Sequence, residues 1–182
     1  MLLAITVLTE IFANFLLGAL HLNTNYPVYN CFLLVQYVTL GLYFKIIILS
    51  KRTKFIIKVF MCLFPLFWLF TDVFIFGLNH WNSYVILVGD LFIICFAARY
   101  LYELFTSEKL INFKTSPEFW IAAATIFYSC CELPITGILN YLATNNRSLN
   151  SVLQVLNIIM YLVFIYAFLC KPIDSTRSSY SS

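Results

Sequence analysis

Charge is what this sequence is shortest of. Asp, Glu, Lys and Arg make up 10% of its 182 residues, while 62% are apolar; a soluble domain carries about a quarter charged residues. A chain this apolar has too little polar surface to cover itself in water, which excludes an ordinary soluble domain. Its apolar stretches also lack the alternation of barrel strands. In lipid only helices or closed barrels satisfy their own backbone groups, so helices remain. Glycine is scarce, at five residues, which argues against the tightly packed, broken helices of many transporters.

Catalytic and cofactor patterns are missing too. There is no G-x-S-x-G, no H-E-x-x-H and no glycine-rich phosphate loop, so no enzymatic activity is expected. The six cysteines, at 31, 62, 95, 130, 131 and 170, form no C-x-x-C, whereas structural zinc needs clustered ligands. They read as small hydrophobes in helix cores. The two histidines, His21 and His80, stand at the ends of apolar runs. That leaves no buried pair to ligate haem, and no cofactor is expected. The basic residues occupy short turns and are not interleaved with aromatics on a folded surface, which excludes a nucleic-acid partner. The first apolar run has no basic n-region and holds Glu10 and Asn14 in its middle, so it reads as a span and not as a cleaved leader.

What is present is length. Apolar runs at about 2–20, 27–49, 55–78, 84–105, 117–142 and 149–170 each approach or exceed the roughly 20 residues that a helix needs to cross the bilayer. The expected fold is all-α, a polytopic bundle of six transmembrane helices, followed by a disordered Ser-rich tail at 172–182. If the spans alternate, ten of the eleven Lys and Arg fall on one side and only Arg147 on the other. The positive-inside rule then puts both termini in the cytoplasm. The basic turn around Lys51, Arg52, Lys54 and Lys58 also suits anionic lipid headgroups.

Four acids lie inside these runs: Glu10, Asp72, Asp90 and Glu132. An ionised acid at a helix centre costs about 2.5–3.5 kcal/mol on insertion scales, so such groups face the bundle or a wet cavity. No Lys or Arg shares their runs near the same depth, apart from Arg147 in a loop. Either they carry protons or they await a cation or protons. Polar residues recur at helical spacing beside them: Asn14 after Glu10; Tyr29 and Gln36 in the second run; Tyr128 before Glu132; Gln154 and Asn157 in the sixth. These nine positions, Glu10, Asn14, Tyr29, Gln36, Asp90, Tyr128, Glu132, Gln154 and Asn157, make a candidate pocket for a small cationic ligand or a proton, opening outward. Asn, Gln and Thr facing one another are also common packing glue between membrane helices. Pro134 removes a backbone bond to Cys130 beside Glu132 and is a candidate hinge.

The stretches Leu8-Thr9-Glu10-Ile11-Phe12-Ala13-Asn14, Val28-Tyr29-Asn30 and Pro117-Glu118-Phe119-Trp120-Ile121, with Tyr128 and Leu133-Pro134, resemble a family of small multi-pass bacterial inner-membrane proteins. They are largely uncharacterised, and similar chains are found beside two-component signalling genes. The resemblance implies a sensory or signalling membrane module with the bilayer and a cytoplasmic signalling protein as partners. The unpaired acids alone suit a small cation- or proton-coupled transporter equally well. A scaffold without ligand is the third possibility.

Overall fold

The structure is a computed structural model and describes residues 26–77, 82–107, 116–142 and 147–170. The expected first span at 2–20, with Glu10 and Asn14, and the tail at 172–182 lie outside them. The described residues form α1 (Tyr26–Ile47), α2 (Lys51–Phe70), α3 (Ser83–Thr106), α4 (Pro117–Leu142) and α5 (Arg147–Leu169), with no strand among them. A π-helical turn, Thr71–Phe76, prolongs α2. All five helices are long and apolar enough to cross a membrane. These are the proportions of a multi-pass membrane protein.

The surface carries the same message. Leu63 and Leu66 of α2, Leu91 and Phe105 of α3, and Ile158 and Leu162 of α5 all face outward. Such a skin is unfavourable against water and neutral against acyl chains. The cysteines join it: Cys31, Cys62, Cys95 and Cys130 are exposed. This corrects their expected place in helix cores, because a thiol is apolar enough for either side of a membrane helix.

Local chemistry sets the helix ends. Ser50 caps α2, its Oγ accepting from the Thr53 amide at 3.4 Å. Ser116 caps α4 by accepting from the Phe119 amide at 3.4 Å, with Pro117 in the first helical position where its missing N–H costs nothing. The π-helical turn stops at Gly77, whose φ of 76° lies in the left-handed region that glycine enters without strain. Pro65 and Pro134 both sit inside continuous helices.

Helix α1 packs on α2 and α3, α3 on α4, and α4 on α5. One core joins α1, α2 and α3 through Tyr37, Phe44, Phe60, Phe64, Ile93 and Phe96. A second joins α4 and α5 through Ile121, Tyr128, Met160 and Phe164. The Trp68 indole donates to the Asn30 carbonyl at 2.9 Å, pinning α2 to α1. At the end holding the basic turn, Glu103 of α3 accepts from the Leu49 amide at 2.7 Å and the Ser50 amide at 3.2 Å. Its carboxylate thus serves the donors exposed where α1 ends and α2 begins. Arg99 steadies it at 3.2 Å.

Candidate functional site

The seam between α3 and α4 gathers the strongest polar constellation among the described residues. Asp90 sits seven residues into α3, about 10 Å along it from the end opposite the basic turn. It is 2% exposed. Its Oδ1 accepts from the Ser129 hydroxyl of α4 at 2.8 Å and from the Tyr37 hydroxyl of α1 at 3.1 Å. The same Tyr37 hydroxyl lies 3.3 Å from the Ile86 carbonyl. The second oxygen, Oδ2, is buried with no aligned donor from the described residues.

Glu132 completes the group. It is 7% exposed and lies close enough to Asp90, and to Tyr128 one turn earlier on α4, to interact electrostatically with both. Tyr161 of α5 packs against the same buried cluster as Tyr128. Two carboxyls side by side repel if both are ionised and have no donor between them. One proton on the pair relieves the repulsion and leaves it a single charge. Such a pair is chemically suited to holding and releasing a proton. Gly89 makes it possible: a Cβ there would stand 2.6 Å from the Tyr37 ring, so only glycine lets the tyrosine lie flat against α3 and reach the acid one residue on.

Asp72 forms a separate node. Asn82 donates to its Oδ1 at 2.6 Å and to the Thr71 hydroxyl at 2.8 Å. Asn82 Oδ1 caps α3 by accepting from the Val85 amide at 3.2 Å. This acid is fully buried and ties the π-helical turn to the start of α3.

The candidates from sequence therefore separate. Asp90, Glu132 and Tyr128 meet. Tyr29, Gln36 and Asn157 are half-buried, and Gln154 is exposed. Hence Gln154 does not face the acids: helical spacing aligned it with Asn157, but the packed stripe of α5 runs through Met160, Phe164 and Ala167. Glu10 and Asn14 lie outside the described residues. The acid pair is enclosed by helices and does not line an open mouth. An open groove of about 190 Å³ between α4 and α5 is apolar, bordered by Trp120, Phe127, Ile159 and Val163, and is apart from the acids.

Sequence reasoning missed Tyr37 and Ser129. Ser129 lies three residues before Glu132, the neighbouring position on a helix face, and that spacing could have found it. Tyr37 had a weaker signal, since it falls seven residues after Asn30 and seven before Phe44 on the buried face of α1. Compared with known protein families, curated proteins and solved structures, the chain matches none.

Proposed function

We propose that this membrane protein is a sensory or signalling module whose input is the occupancy, by a proton or small cation, of the Asp90–Glu132 pair. The observation that carries the reading is the position of the pair. It stands where α1, α3 and α4 meet, so a change in its charge alters the packing of all three. Helix α3 leads from Asp90 to Glu103, which holds the turn between α1 and α2. A shift of α3 is thereby felt at the basic end. We place that end in the cytoplasm of a bacterial cell and the bundle in its inner membrane, on the strength of the charge distribution and the family resemblance. A cytoplasmic signalling protein would read the turn.

The test is direct. The full chain is used to capture cytoplasmic partners, and binding is compared across outer pH for wild type, Asp90→Asn and Glu132→Gln. Pull-down of a specific partner whose binding follows outer pH in wild type and not in the variants supports the proposal. No partner, or a partner indifferent to both substitutions, counts against it.

One observation favours transport as a second reading. Among the described residues no Lys or Arg pairs with either acid; the ion pair they form is Arg99–Glu103. A site that exchanges a proton for a cation needs just such uncompensated carboxyls. Ion flux in proteoliposomes that Glu132→Gln abolishes would favour it. If the substitutions change stability alone, the acids are a structural tie and the scaffold reading stands.

A further inference from the structure

Helix α2 begins with a surplus of charge. It opens Lys51-Arg52-Thr53-Lys54 and carries Lys58 one turn on, and its 20 residues hold no acid. Lys51, Arg52 and Lys58 are exposed, and Lys54 is half-buried. Among the described residues none of these four joins an ion pair; the pair that does form, Arg99–Glu103, belongs to α3. Lys54 and Lys58 stand four residues apart, a spacing at which like charges repel. Lys51, Arg52 and Lys54 also lie at the positive end of the helix dipole, where cations are disfavoured. An anion held among them relieves both effects.

Burial fixes the direction in which the charges face. The buried positions of α2 are Ile57, Phe60 and Phe64. With about 100° between successive residues, the opposite side of the helix carries Lys51, Phe55, Lys58, Cys62 and Leu66 in one line. Phe55 is 67% exposed and Leu66 63%. The line therefore starts among ammonium groups and continues as bare hydrocarbon. From Phe55 to Leu66 it runs about 16 Å, roughly the hydrocarbon depth of one leaflet. Helix side chains lean toward the N-terminus, and a lysine stem follows apolar surface to put its charge in water. The Lys58 ammonium is thus carried back toward Lys51, while Arg52 and Lys54 flank the line on either side.

We propose that this outward side of α2 is a docking surface for an anionic phospholipid. Its phosphate and headgroup lie among Lys51, Arg52, Lys54 and Lys58, and its acyl chains lie along Phe55 and Leu66. A soluble anion would match the cations but leave no use for the apolar line that continues beneath them. The surface is also set before a lipid arrives. Glu103 accepts from the Leu49 and Ser50 amides immediately ahead of Lys51, and Ser50 caps the helix, so little ordering remains to be done on binding. Cations at this end also direct the chain during insertion. Charges that do only that show no preference among lipids afterwards. The inference stands apart from the Asp90–Glu132 pair and survives if that pair proves structural.

The experiment uses the full chain in neutral detergent. Phosphatidylglycerol or phosphatidylcholine with the same acyl chains is titrated in, and the first bound lipid is counted by native mass spectrometry. Wild type should bind phosphatidylglycerol more tightly than phosphatidylcholine. Lys51→Gln with Lys58→Gln should weaken phosphatidylglycerol by about fivefold for each cation removed, the usual worth of a cation near anionic lipid, and leave phosphatidylcholine unchanged. Lys51→Arg with Lys58→Arg should keep the preference. Lys109→Gln with Lys114→Gln, which takes the same charge from the stretch between α3 and α4, should keep it too. Equal affinity for the two lipids in wild type overturns the proposal. So does an equal loss in the Lys109 and Lys114 variant, which would make the attraction one of net charge. Glycerol phosphate carries the headgroup charge without chains; if it binds as tightly as the lipid, the patch takes a soluble anion and the lipid surface is wrong.

Discussion

At the scale of single residues, the contacts of one acid govern the seam between α1, α3 and α4. Ser129→Ala removes a donor from a buried carboxyl oxygen, and Tyr37→Phe removes another. Each should destabilise the bundle by about 1–3 kcal/mol, read as a lower unfolding midpoint in detergent. If the two donors act through the same Asp90 oxygen, the double variant should depart from additivity by at least about 0.5 kcal/mol. Gly89→Ala should cost a similar amount, about 1–3 kcal/mol, because the tyrosine ring must move away from α3. Combined with Tyr37→Ala, which removes the obstructing ring, the glycine substitution should lose most of its penalty. The acids themselves are legible in the sequence, since a carboxylate within an apolar run is conspicuous. Their donors are not, because a lone Ser or Tyr in a membrane span is ordinary and only the approach of another helix makes it a partner.

At the scale of elements, helix ends and breaks carry the predictions. Glu103→Gln keeps the shape of the side chain but loses the charge that serves the Leu49 and Ser50 amides. Those two amides should exchange hydrogen faster in the variant, by about tenfold for each 1.4 kcal/mol of lost protection, while amides in the middle of α1 keep their rates. Asn82→Ala removes both the cap of α3 and its tie to Asp72. It should cost about 1–2 kcal/mol, the usual worth of a cap, and more if Asp72 is left charged and buried. Pro134→Ala addresses the hinge: unchanged partner response together with an unchanged helix path would dispose of that idea. The extents of the described helices follow the apolar runs closely, and the Ser116 cap with Pro117 is readable from two adjacent letters. The π-helical turn at 71–76 is not. It forms where Thr71 folds its hydroxyl back onto the Phe67 and Trp68 carbonyls, both at 3.0 Å, and where Asn82 reaches across from the next helix. That is a tertiary event with no periodicity of its own.

At the scale of the whole molecule, the arrangement is a sheaf with an inside-out surface. Apolar content reveals the medium, and run length reveals the spans. Which helix lies beside which stays hidden in the letters, because hydrocarbon-facing and partner-facing positions are both apolar and periodicity barely separates them. Gln154 shows the failure, since a polar letter at the right spacing stands outside the packed stripe. The sheaf also arrives already fitted for measurement. One thiol on each of α1, α2, α3 and α4, at Cys31, Cys62, Cys95 and Cys130, is exposed on the outside of the bundle. Replacing all but two of the thiols leaves a pair that can be spin-labelled in detergent solution, where water gives the thiolate that maleimides need, and the distance between two neighbouring rods followed as the acid pair gains or loses its proton. A protein that moves its rods in response would announce it through its own sulfur atoms.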